Sequence, residues 1–332
     1  MNKDHEIEDI SEEDINNLDE IETYTYTPTC VEDDLECCDE AYHALEYIDL
    51  DWPSQTVAPF QNDYLLVGTN PEKEKPKLQK FDVNNITEKN FEVCEAQTDV
   101  SYNRIRANHL ISCVSDNTFD VYNSNLEKVD SLSFDEGVGY GLCTNDNSSI
   151  FSTNNGLVHI YTYKEVENFK IHTKSIECLN IYDNLLFSCS TDKSVKITDL
   201  RNKNQVFSKT LNSEINSVDY NKDNVFAYGD DEGTIRVVDM RMSESELGIF
   251  WHKTSISMIK WKDSDMFCSA SDEQLCIFDI TLEDEWEYEK YLLFVHQGQK
   301  YYKDICFSPR DINMVVTTSV DGLCMFKPIS FE

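Results

Sequence analysis

The sequence is poor in basic residues and has no long apolar run. It contains 28 lysines and arginines against 63 aspartates and glutamates, which gives a net charge of −35 over 332 residues. Because this charge repels phosphate groups, we expect no direct binding of nucleic acid or of an anionic membrane. No stretch approaches the roughly 20 apolar residues that cross a bilayer. The first ten residues, MNKDHEIEDI, lack the basic start and apolar core of a secretory signal. An intracellular chain with basic partners is therefore expected.

The sequence also lacks the motifs of common enzymes. Its 10 glycines leave little material for loops that cradle phosphates, and it has no nucleophile elbow, P-loop, dinucleotide motif or paired metal-binding histidines. The 12 cysteines include no C-x-x-C pair, and the adjacent Cys37 and Cys38 match no zinc-ligand spacing. Most of the others lie in apolar segments, which predicts buried free thiols. We therefore predict a non-enzymatic protein without metal or cofactor.

The beginning of the chain is its most acidic part. The first 40 residues contain 16 acidic residues and one base, Lys3. Residues 1–28 are too acidic and too poor in apolar side chains to fold alone, and they are predicted to form a disordered tail. An amphipathic helix is predicted over residues 29–48, because a capping-box pattern begins at Thr29 and apolar residues follow at spacings of three and four. The acidic face of this helix would carry Glu32, Asp33, Asp34, Glu36, Asp39 and Glu40.

A repeat of about 40 residues organises the rest of the chain. Similar strand-like segments end at intervals between 37 and 48 residues, at Phe81, Tyr122, Tyr161, Thr198, Val238, Phe278 and Phe326. A period near 40 residues with several short strands per unit is typical of WD40 propellers. We predict an all-β fold, a seven-bladed WD40 β-propeller over residues 49–332 with an N-terminal α-helix and an acidic tail. The strand at residues 52–60 is predicted to close the ring as the outer strand of the last blade.

Aspartate and histidine recur at fixed places in the repeats, where a structural role is favoured over catalysis. The tight turns contain Asp192, Asp231, Asp272 and Asp321, whose carboxylates can accept hydrogen bonds from nearby backbone N–H groups. His172 and His252 lie near the start of two repeats. The tryptophan of the WD dipeptide is replaced by Thr198, Val238 and Phe278, which should weaken the hydrogen-bond network of each blade.

Two further motifs each have two interpretations. Asp199 with Arg201, and Asp239 with Arg241, resemble the pairs by which some WD40 proteins join cullin ubiquitin ligases. An ordinary salt bridge within the blade explains them as well and is favoured. The lysines at positions 73, 75, 77 and 80 form either a nuclear import signal or, more simply, part of an exposed loop between strands.

The chain resembles the glutamate-rich WD-repeat family, which is related to the histone-binding WD40 proteins. Residues 41–57, AYHALEYIDLDWPSQTV, are similar to the segment with which these proteins enter the propeller. Residues 103–106, 136–141 and 172–177 match repeats of the same group. The segments LLFVHQG at residues 292–298 and TSVDGLCMFKPIS at residues 318–330 favour the glutamate-rich family over the histone binders.

This resemblance implies a ribosome assembly chaperone. Such a protein would bind a basic protein of the large ribosomal subunit, the third of the L series, and deliver it to the pre-60S particle in the nucleus and nucleolus, with a cytoplasmic pool. The client would contact the acidic helix face and an insertion in which aromatics stand beside acids and can hold arginine. The insertion consists of Glu283, Asp284, Glu285, Trp286, Glu287, Tyr288 and Glu289. A monomer is expected, and a histone-binding chaperone or chromatin-complex subunit is the alternative function.

Overall fold

The computed structural model describes residues 38–83, 93–162, 165–242, 245–282 and 290–331. The described residues contain no α-helix, and their helical turns are short 3-10 segments such as Asp39–Ala41 and Met240–Met242. Strand β1 (Tyr42–Ile48) follows the first of these turns. Together with β1, the remaining strands form seven antiparallel sheets of four strands each.

The sheets follow one another along the chain as the blades of a propeller. Blade 1 contains β2 (Ser54–Phe60), β3 (Tyr64–Thr69), β4 (Lys77–Asp82) and β5 (Val93–Gln97). Blade 2 contains β6 (Arg104–Ala107), β7 (Ile111–Val114), β8 (Thr118–Tyr122) and β9 (Lys128–Ser133). Blade 3 contains β10 (Val138–Thr144), β11 (Ser149–Thr153), β12 (Leu157–Thr162) and β13 (Glu165–Lys170). Blade 4 contains β14 (Ile176–Tyr182), β15 (Leu185–Ser190), β16 (Ser194–Asp199) and β17 (Asn204–Thr210). Blade 5 contains β18 (Ile215–Tyr220), β19 (Val225–Asp230), β20 (Ile235–Asp239) and β21 (Glu246–Ile249). Blade 6 contains β22 (Met258–Trp261), β23 (Met266–Ala270), β24 (Leu275–Asp279) and β25 (Leu292–His296). Blade 7 contains β26 (Asp304–Phe307), β27 (Val315–Ser319), β28 (Gly322–Pro328) and, as its fourth strand, β1.

The first strand of every blade lies innermost, around a central channel. Each innermost strand contacts that of the next blade, and β2 contacts β26, which closes the circle. Apolar side chains of neighbouring blades pack together between the sheets; Phe187 of blade 4, for example, shares a core cluster with Ile215 and Phe226 of blade 5. The core is therefore a series of layers between blades, and burial of these apolar surfaces stabilises the ring.

The repeat predicts the blades correctly. Each of the seven strand-like segments found in the sequence is the third strand of a blade, from β4 with Phe81 to β28 with Phe326. The seven-bladed all-β propeller is therefore confirmed. The period is visible in the sequence because the third strand is buried on both sides and needs the same apolar and β-branched residues in every blade.

The ring is closed by a different segment from the predicted one. Strand β1 pairs antiparallel with β28, with Tyr42 opposite Pro328 and Ile48 opposite Leu323. The predicted helix is therefore wrong over residues 42–48, while residues 29–37 lie outside the described residues. The apolar spacing that suggested a helix has another cause, since Tyr42 and Leu45 of β1 pack against the core cluster that contains Phe326.

Residues 52–60 were predicted to be the closing outer strand, and this prediction is also wrong. Strand β2 is the innermost strand of blade 1. Its residues are almost all buried, with Val57 and Phe60 at 0% and 1% exposure, as an inner strand requires. The hydroxyl of Thr56 donates to Asp304 of β26 at 2.8 Å, which fixes blade 1 to blade 7 at the centre of the molecule.

Within the described residues, no helix has the length and apolar character that a membrane crossing needs. The cysteines described there are all free thiols. Most are buried, as the sequence predicts, whereas Cys38 and Cys94 are exposed.

Candidate functional site: the two ends of the central channel

The central channel has two chemically different ends. Because every blade repeats the same antiparallel order, the amino-terminal ends of the innermost strands lie together at one end of the channel. Their carboxyl ends lie together at the other. The turns between the second and third strands lie on the amino-terminal side, and the turns between the first and second strands lie on the carboxyl side. Residues from distant parts of the sequence therefore meet at each end.

The amino-terminal end carries an acidic mouth, which we define as Asp116, Tyr140, Glu177, Glu214 and Asp231. Tyr140 and Glu177 lie near the starts of β10 and β14, and Glu214 comes directly before β18. Asp116 and Asp231 lie in turns between second and third strands. Tyr140 is 43% exposed. Four carboxyl groups beside an exposed aromatic ring form a surface suited to arginine and lysine side chains.

The electrostatics of the mouth show that its acidic groups act on one another. Burial raises the pKa of Glu177, and the charges of Glu214 and Asp231 raise it further against the opposing effect of Arg104. Burial also raises the pKa of Tyr140, and the neighbouring Glu177 and Asp116 add to the shift. An arriving cation would relieve this repulsion between like charges.

A buried ion cluster lies beneath the mouth. The carboxylate of Asp304, which is 0% exposed, lies 3.2 Å from Nη1 of Arg104 and accepts hydrogen bonds from Nη1 and Nη2 of Arg106 at 2.9 and 3.1 Å. It also accepts hydrogen bonds from the Thr56 hydroxyl and the Val57 N–H. Burial alone would raise the pKa of Asp304, but Arg106 and Arg104 outweigh it and hold the pKa at about 2. The cluster therefore joins three innermost strands with a permanent charge network.

The carboxyl end of the channel opens into a cavity of about 670 Å³, which we call the cationic funnel. The residues described as its lining include five bases and neither aspartate nor glutamate. The bases are Arg106, Lys222, Lys260, Lys262 and Arg310. The rest of the wall is largely apolar, with Val57, Trp261 and Phe307 among its residues. In a chain with a net charge of −35, such a lining is unusual.

The turn of blade 4 contains a connected histidine–aspartate pair. Nδ1 of His172 lies 3.1 Å from the carboxylate of Asp192, and Nε2 lies 2.8 Å from the Ser188 hydroxyl. Asp192 also accepts hydrogen bonds from the backbone N–H groups of Thr173 and Ser194. Burial lowers the pKa of His172 to about 4, so the ring is neutral at physiological pH. The network thus forms without the tryptophan that Thr198 replaces.

Comparisons with known proteins found partial similarity to a β-propeller family model and to WD-repeat proteins. The sequence model of the Vps42 beta-propeller matches residues 126–287. A WD repeat-containing protein 55 homolog from Drosophila yakuba is 25% identical over 136 residues, which cover 38% of this chain and 27% of that protein. Ribosome assembly protein rrb1 from Schizosaccharomyces pombe is 28% identical over 245 residues, which cover 64% of this chain and 50% of that protein. The chain is similar to WD-repeat proteins.

These findings confirm the resemblance to a WD-repeat family that includes ribosome assembly proteins. Protein HEAT STRESS TOLERANT DWD 1 from Arabidopsis thaliana is also similar, with 30% identity over 103 residues that cover 25% of this chain and 22% of that protein. The chain therefore spans half the length, or less, of these curated relatives.

The other predicted turn residues have varied surroundings. His252 is buried, and its ring nitrogens lie 2.9 Å from the Ser271 hydroxyl and 2.6 Å from the Ser269 hydroxyl. The backbone N–H of Asp272 donates to Thr254, and the Asp321 carboxylate accepts from the Lys300 N–H at 2.8 Å. Asp231 lies in its turn as predicted, where it accepts hydrogen bonds from Asn216 and Ser255 and also belongs to the acidic mouth.

The two Asp-x-Arg motifs form ion pairs within their blades. Nη2 of Arg201 lies 2.6 Å from Asp199, and Nη2 of Arg241 lies 2.6 Å from Asp239. In each pair the aspartate also accepts the backbone N–H of the arginine. The arginine side chains remain 69% and 63% exposed. The geometry agrees with the interpretation as internal salt bridges and leaves the guanidinium groups at the surface.

The predicted client-binding residues are described only in part. Glu32, Asp33, Asp34, Glu36 and the whole insertion, residues 283–289, lie outside the described residues. Asp39 and Glu40 are exposed in the 3-10 turn before β1. Lys75 and Lys77 pair with Asp99 and Glu95 on blade 1.

Several buried charged residues near the channel carry no distinguishing signal in the sequence. Asp230, next to the predicted Asp231, is the buried member of its turn; it is 0% exposed, accepts the N–H groups of Glu232 and Thr234, and pairs with Arg236 at 2.7 Å. The segment at residues 103–106 was noticed for its resemblance, but no local signal connects Arg104 and Arg106 with Asp304, about 200 residues away.

Proposed function

We propose that the protein is a non-enzymatic assembly factor of ribosome biogenesis that shields a basic ribosomal protein. The coarse role comes from the similarity to rrb1, a ribosome assembly protein, and to the WD-repeat proteins. The proposed client is the basic large-subunit protein, third of the L series, that the family resemblance implies. It would be delivered to the pre-60S particle in the nucleus and nucleolus.

The acidic mouth is the observation that carries this proposal. A newly made ribosomal protein is rich in lysine and arginine and needs a partner that offers dense negative charge, as ribosomal RNA later does. The mouth offers four carboxyl groups and an exposed tyrosine on a rigid ring of strands. Because the blades are fixed by a continuous core, the carboxyl groups are held in place before the client arrives, which lowers the entropic cost of binding.

Two further acidic segments are proposed to form a second contact with the client, at the carboxyl end of the channel and not at the mouth. These are the acidic residues between positions 32 and 40 and the insertion at residues 283–289. Their described neighbours meet in the fold, because the ring of Tyr42, just after Asp39 and Glu40, lies 5.3 Å from the ring of Phe294 in β25. Strand β25 begins three residues after the insertion ends. We therefore propose that the client contacts both segments near the junction of blades 6 and 7, where their described neighbours meet.

A binding experiment with the full chain tests the proposal. The affinity for the purified ribosomal protein is measured by calorimetry for the wild type and for a triple variant of the mouth, Asp116→Asn, Glu214→Gln and Asp231→Asn. Because each lost surface charge contributes about 0.2–1 kcal/mol, the triple variant is expected to bind about 3- to 100-fold more weakly. Core histones and ribosomal RNA are titrated in parallel.

A matched control changes the same charge at the other end of the channel. The variant Asp146→Asn, Asp183→Asn and Asp223→Asn alters exposed acids in turns between first and second strands, and it is expected to keep the wild-type affinity. Equal weakening by both triple variants would contradict a specific role of the mouth. Tight binding of histones without binding of the ribosomal protein would favour the chromatin alternative, and preferred binding of RNA would contradict both.

A further inference from the structure

The bases of the cationic funnel would repel a basic client, so the proposed function gives them no role. The funnel nevertheless concentrates lysine and arginine, which are scarce in this chain. Five of the 28 basic residues line this one cavity. They come from the carboxyl ends of β6, β18, β22 and β26 and from the turns that follow. Neither the packing of the propeller core nor the binding of a basic client explains why these bases converge. The same holds for the absence of acidic residues among the described lining residues.

Part of this charge remains available to a ligand. Arg106, Lys260, Lys262 and Arg310 each have an acidic partner behind the lining. Lys222 is exposed and has no ion pair among the described residues. Trp261, which also lines the funnel and is 6% exposed, has an indole N–H without a hydrogen-bond partner in the described part of the chain. A buried donor without an acceptor is costly, and an anionic ligand would supply acceptors.

The funnel wall also defines the apolar character of the ligand. Val57, Pro59, Ile305, Phe307 and Ile312 form much of the surface between the bases. Ile312 is 53% exposed. A ligand that fits this wall carries carboxylates together with aliphatic side chains, as an acidic peptide with isoleucine or leucine does.

The chain enters the described structure at this same end. Strand β1 is the fourth strand of its blade, so it begins at the end of the channel where the innermost strands finish. The N–H of Ile329 donates to the carbonyl oxygen of Ala41 at 3.1 Å, and the ring of Phe331, two residues on, lies 4.8 Å from Nζ of Lys262. Lys262 lines the funnel. Residues that precede Cys38 are therefore attached close to the funnel rim.

We infer that the cationic funnel is a binding site for the acidic tail of the same chain, residues 1–28. The tail has ten acidic residues and one base, and it contains Ile7, Ile10, Ile15 and Leu18 among its acids. Residues 29–37 connect it to Cys38 and span up to about 30 Å when extended, which reaches the cavity from the rim. This inference does not depend on the proposed role of the acidic mouth, which lies at the opposite end of the channel, and it needs no client.

Zero-length cross-linking of the full chain tests the inference. Unlabelled and ¹⁵N-labelled protein are mixed in equal amounts and treated with a carbodiimide, which joins lysine amines to carboxylates in contact. Cross-links from Lys222, Lys260 or Lys262 to acidic residues within positions 1–28 are expected, in peptides of a single isotope. Peptides that contain both isotopes would show binding between molecules and overturn the inference, as would tail cross-links spread evenly over the lysines of the chain.

A charge reversal at the funnel supplies the second measurement. Lys222→Glu is expected to lower the yield of cross-links from Lys262 to the tail about 3- to 10-fold, since it replaces attraction by repulsion at an exposed site. Lys193→Glu is the matched control. Lys193 is also exposed with positive φ (69° against 66°), but it lies at the opposite end of the channel. Equal cross-link yields in the two variants would overturn the inference.

Discussion

At the scale of single residues, Asp304 has the greatest influence on the centre of the ring. Its carboxylate is fully buried and balances Arg104 and Arg106, so removing its charge leaves two guanidinium groups close together without an anion. Breaking a buried pair by removal of one partner destabilises proteins by about 3–5 kcal/mol. The contribution of Asp304 is present above its ordinary pKa of 3.8 and is lost as the pH falls towards its folded pKa of about 2.

We predict that Asp304→Asn lowers the free energy of unfolding by about 3–5 kcal/mol, measured by denaturant titration. Asp63→Asn is the control, because it breaks the exposed pair with Arg310 and is expected to cost less than about 1 kcal/mol. A loss below about 1 kcal/mol in Asp304→Asn would mean that the cluster does not hold the innermost strands together.

Buried histidines give the protein a second dependence on pH. Burial lowers the pKa of His172 to about 4 and that of His252 to about 3, against an ordinary value of 6.5. The unfolded chain therefore binds more protons than the folded chain between about pH 6.5 and 4, and stability falls as the pH decreases through this range. Each such histidine contributes a slope of about 1.4 kcal/mol per pH unit.

We predict that His252→Gln reduces the slope of unfolding free energy against pH by about 1.4 kcal/mol per unit between pH 6 and 4. The measurement is a series of denaturant titrations at different pH values. His109→Gln, which changes an exposed histidine in the same way, is the control for the substitution itself. An unchanged slope in His252→Gln would show that this histidine is not neutral and buried in solution.

At the scale of elements, strand β1 decides whether the ring is closed. Ile48 is 5% exposed and packs with Val57, Leu323 and Met325, so it joins the last blade to the first. We predict that Ile48→Ala lowers the free energy of unfolding by about 2–5 kcal/mol, measured with denaturant. Tyr47→Thr, at a neighbouring position that is 53% exposed, is expected to cost less than about 1 kcal/mol. Equal effects would contradict a closing role for the buried face of β1.

In our proposal the insertion at residues 283–289 binds the client and does not stabilise the fold. Reversing all five acids, with Glu283→Lys, Asp284→Lys, Glu285→Lys, Glu287→Lys and Glu289→Lys, is expected to weaken binding of the basic client and to leave the thermal midpoint within about 2 °C. Calorimetry and thermal unfolding provide the two readouts. Loss of the folded state would show that the insertion is structural, and unchanged binding would remove it from the client site.

The comparison of sequence with structure shows what a local pattern can predict. The third strands repeat because each is buried on both sides, so Phe81 and its counterparts recur at a regular interval that needs no knowledge of the fold. The segment at Tyr42–Ile48 has no such signal, since its partner β28 lies about 275 residues further on. Its apolar residues were compatible with helical spacing, and only the distant pairing shows that they belong to a strand.

The candidate sites follow the same rule. His172 and Asp192 lie within one repeat, and the sequence predicts a structural role for each of them, whereas their contact is seen only in the structure. The mouth and the funnel each gather residues from four or more blades, and no spacing along the chain reveals them. Asp230 and Asp231 are adjacent acids, and the one-residue difference between a buried and an exposed position is set by the register of β19 and β20.

At the scale of the whole molecule, the charge sets the character of binding. With a net charge of −35, we predict that the affinity for a basic client falls about tenfold or more between 0.1 and 1 M salt, as the screening length decreases from about 10 to about 3 Å. The measurement is calorimetry over a salt series with the full chain. An affinity that stays constant over this range would indicate an apolar interface instead.

Ring closure by β1 has a consequence for synthesis of the chain. Ile48 is translated 275 residues before Leu323, its pairing partner. At about 5–20 residues per second, the first strand waits roughly 14–55 s after its own translation before that partner is made. Throughout this interval β1 in the nascent polypeptide has no β28 to pair with. A transcript that ends before β28 therefore yields a product that can never complete its last blade.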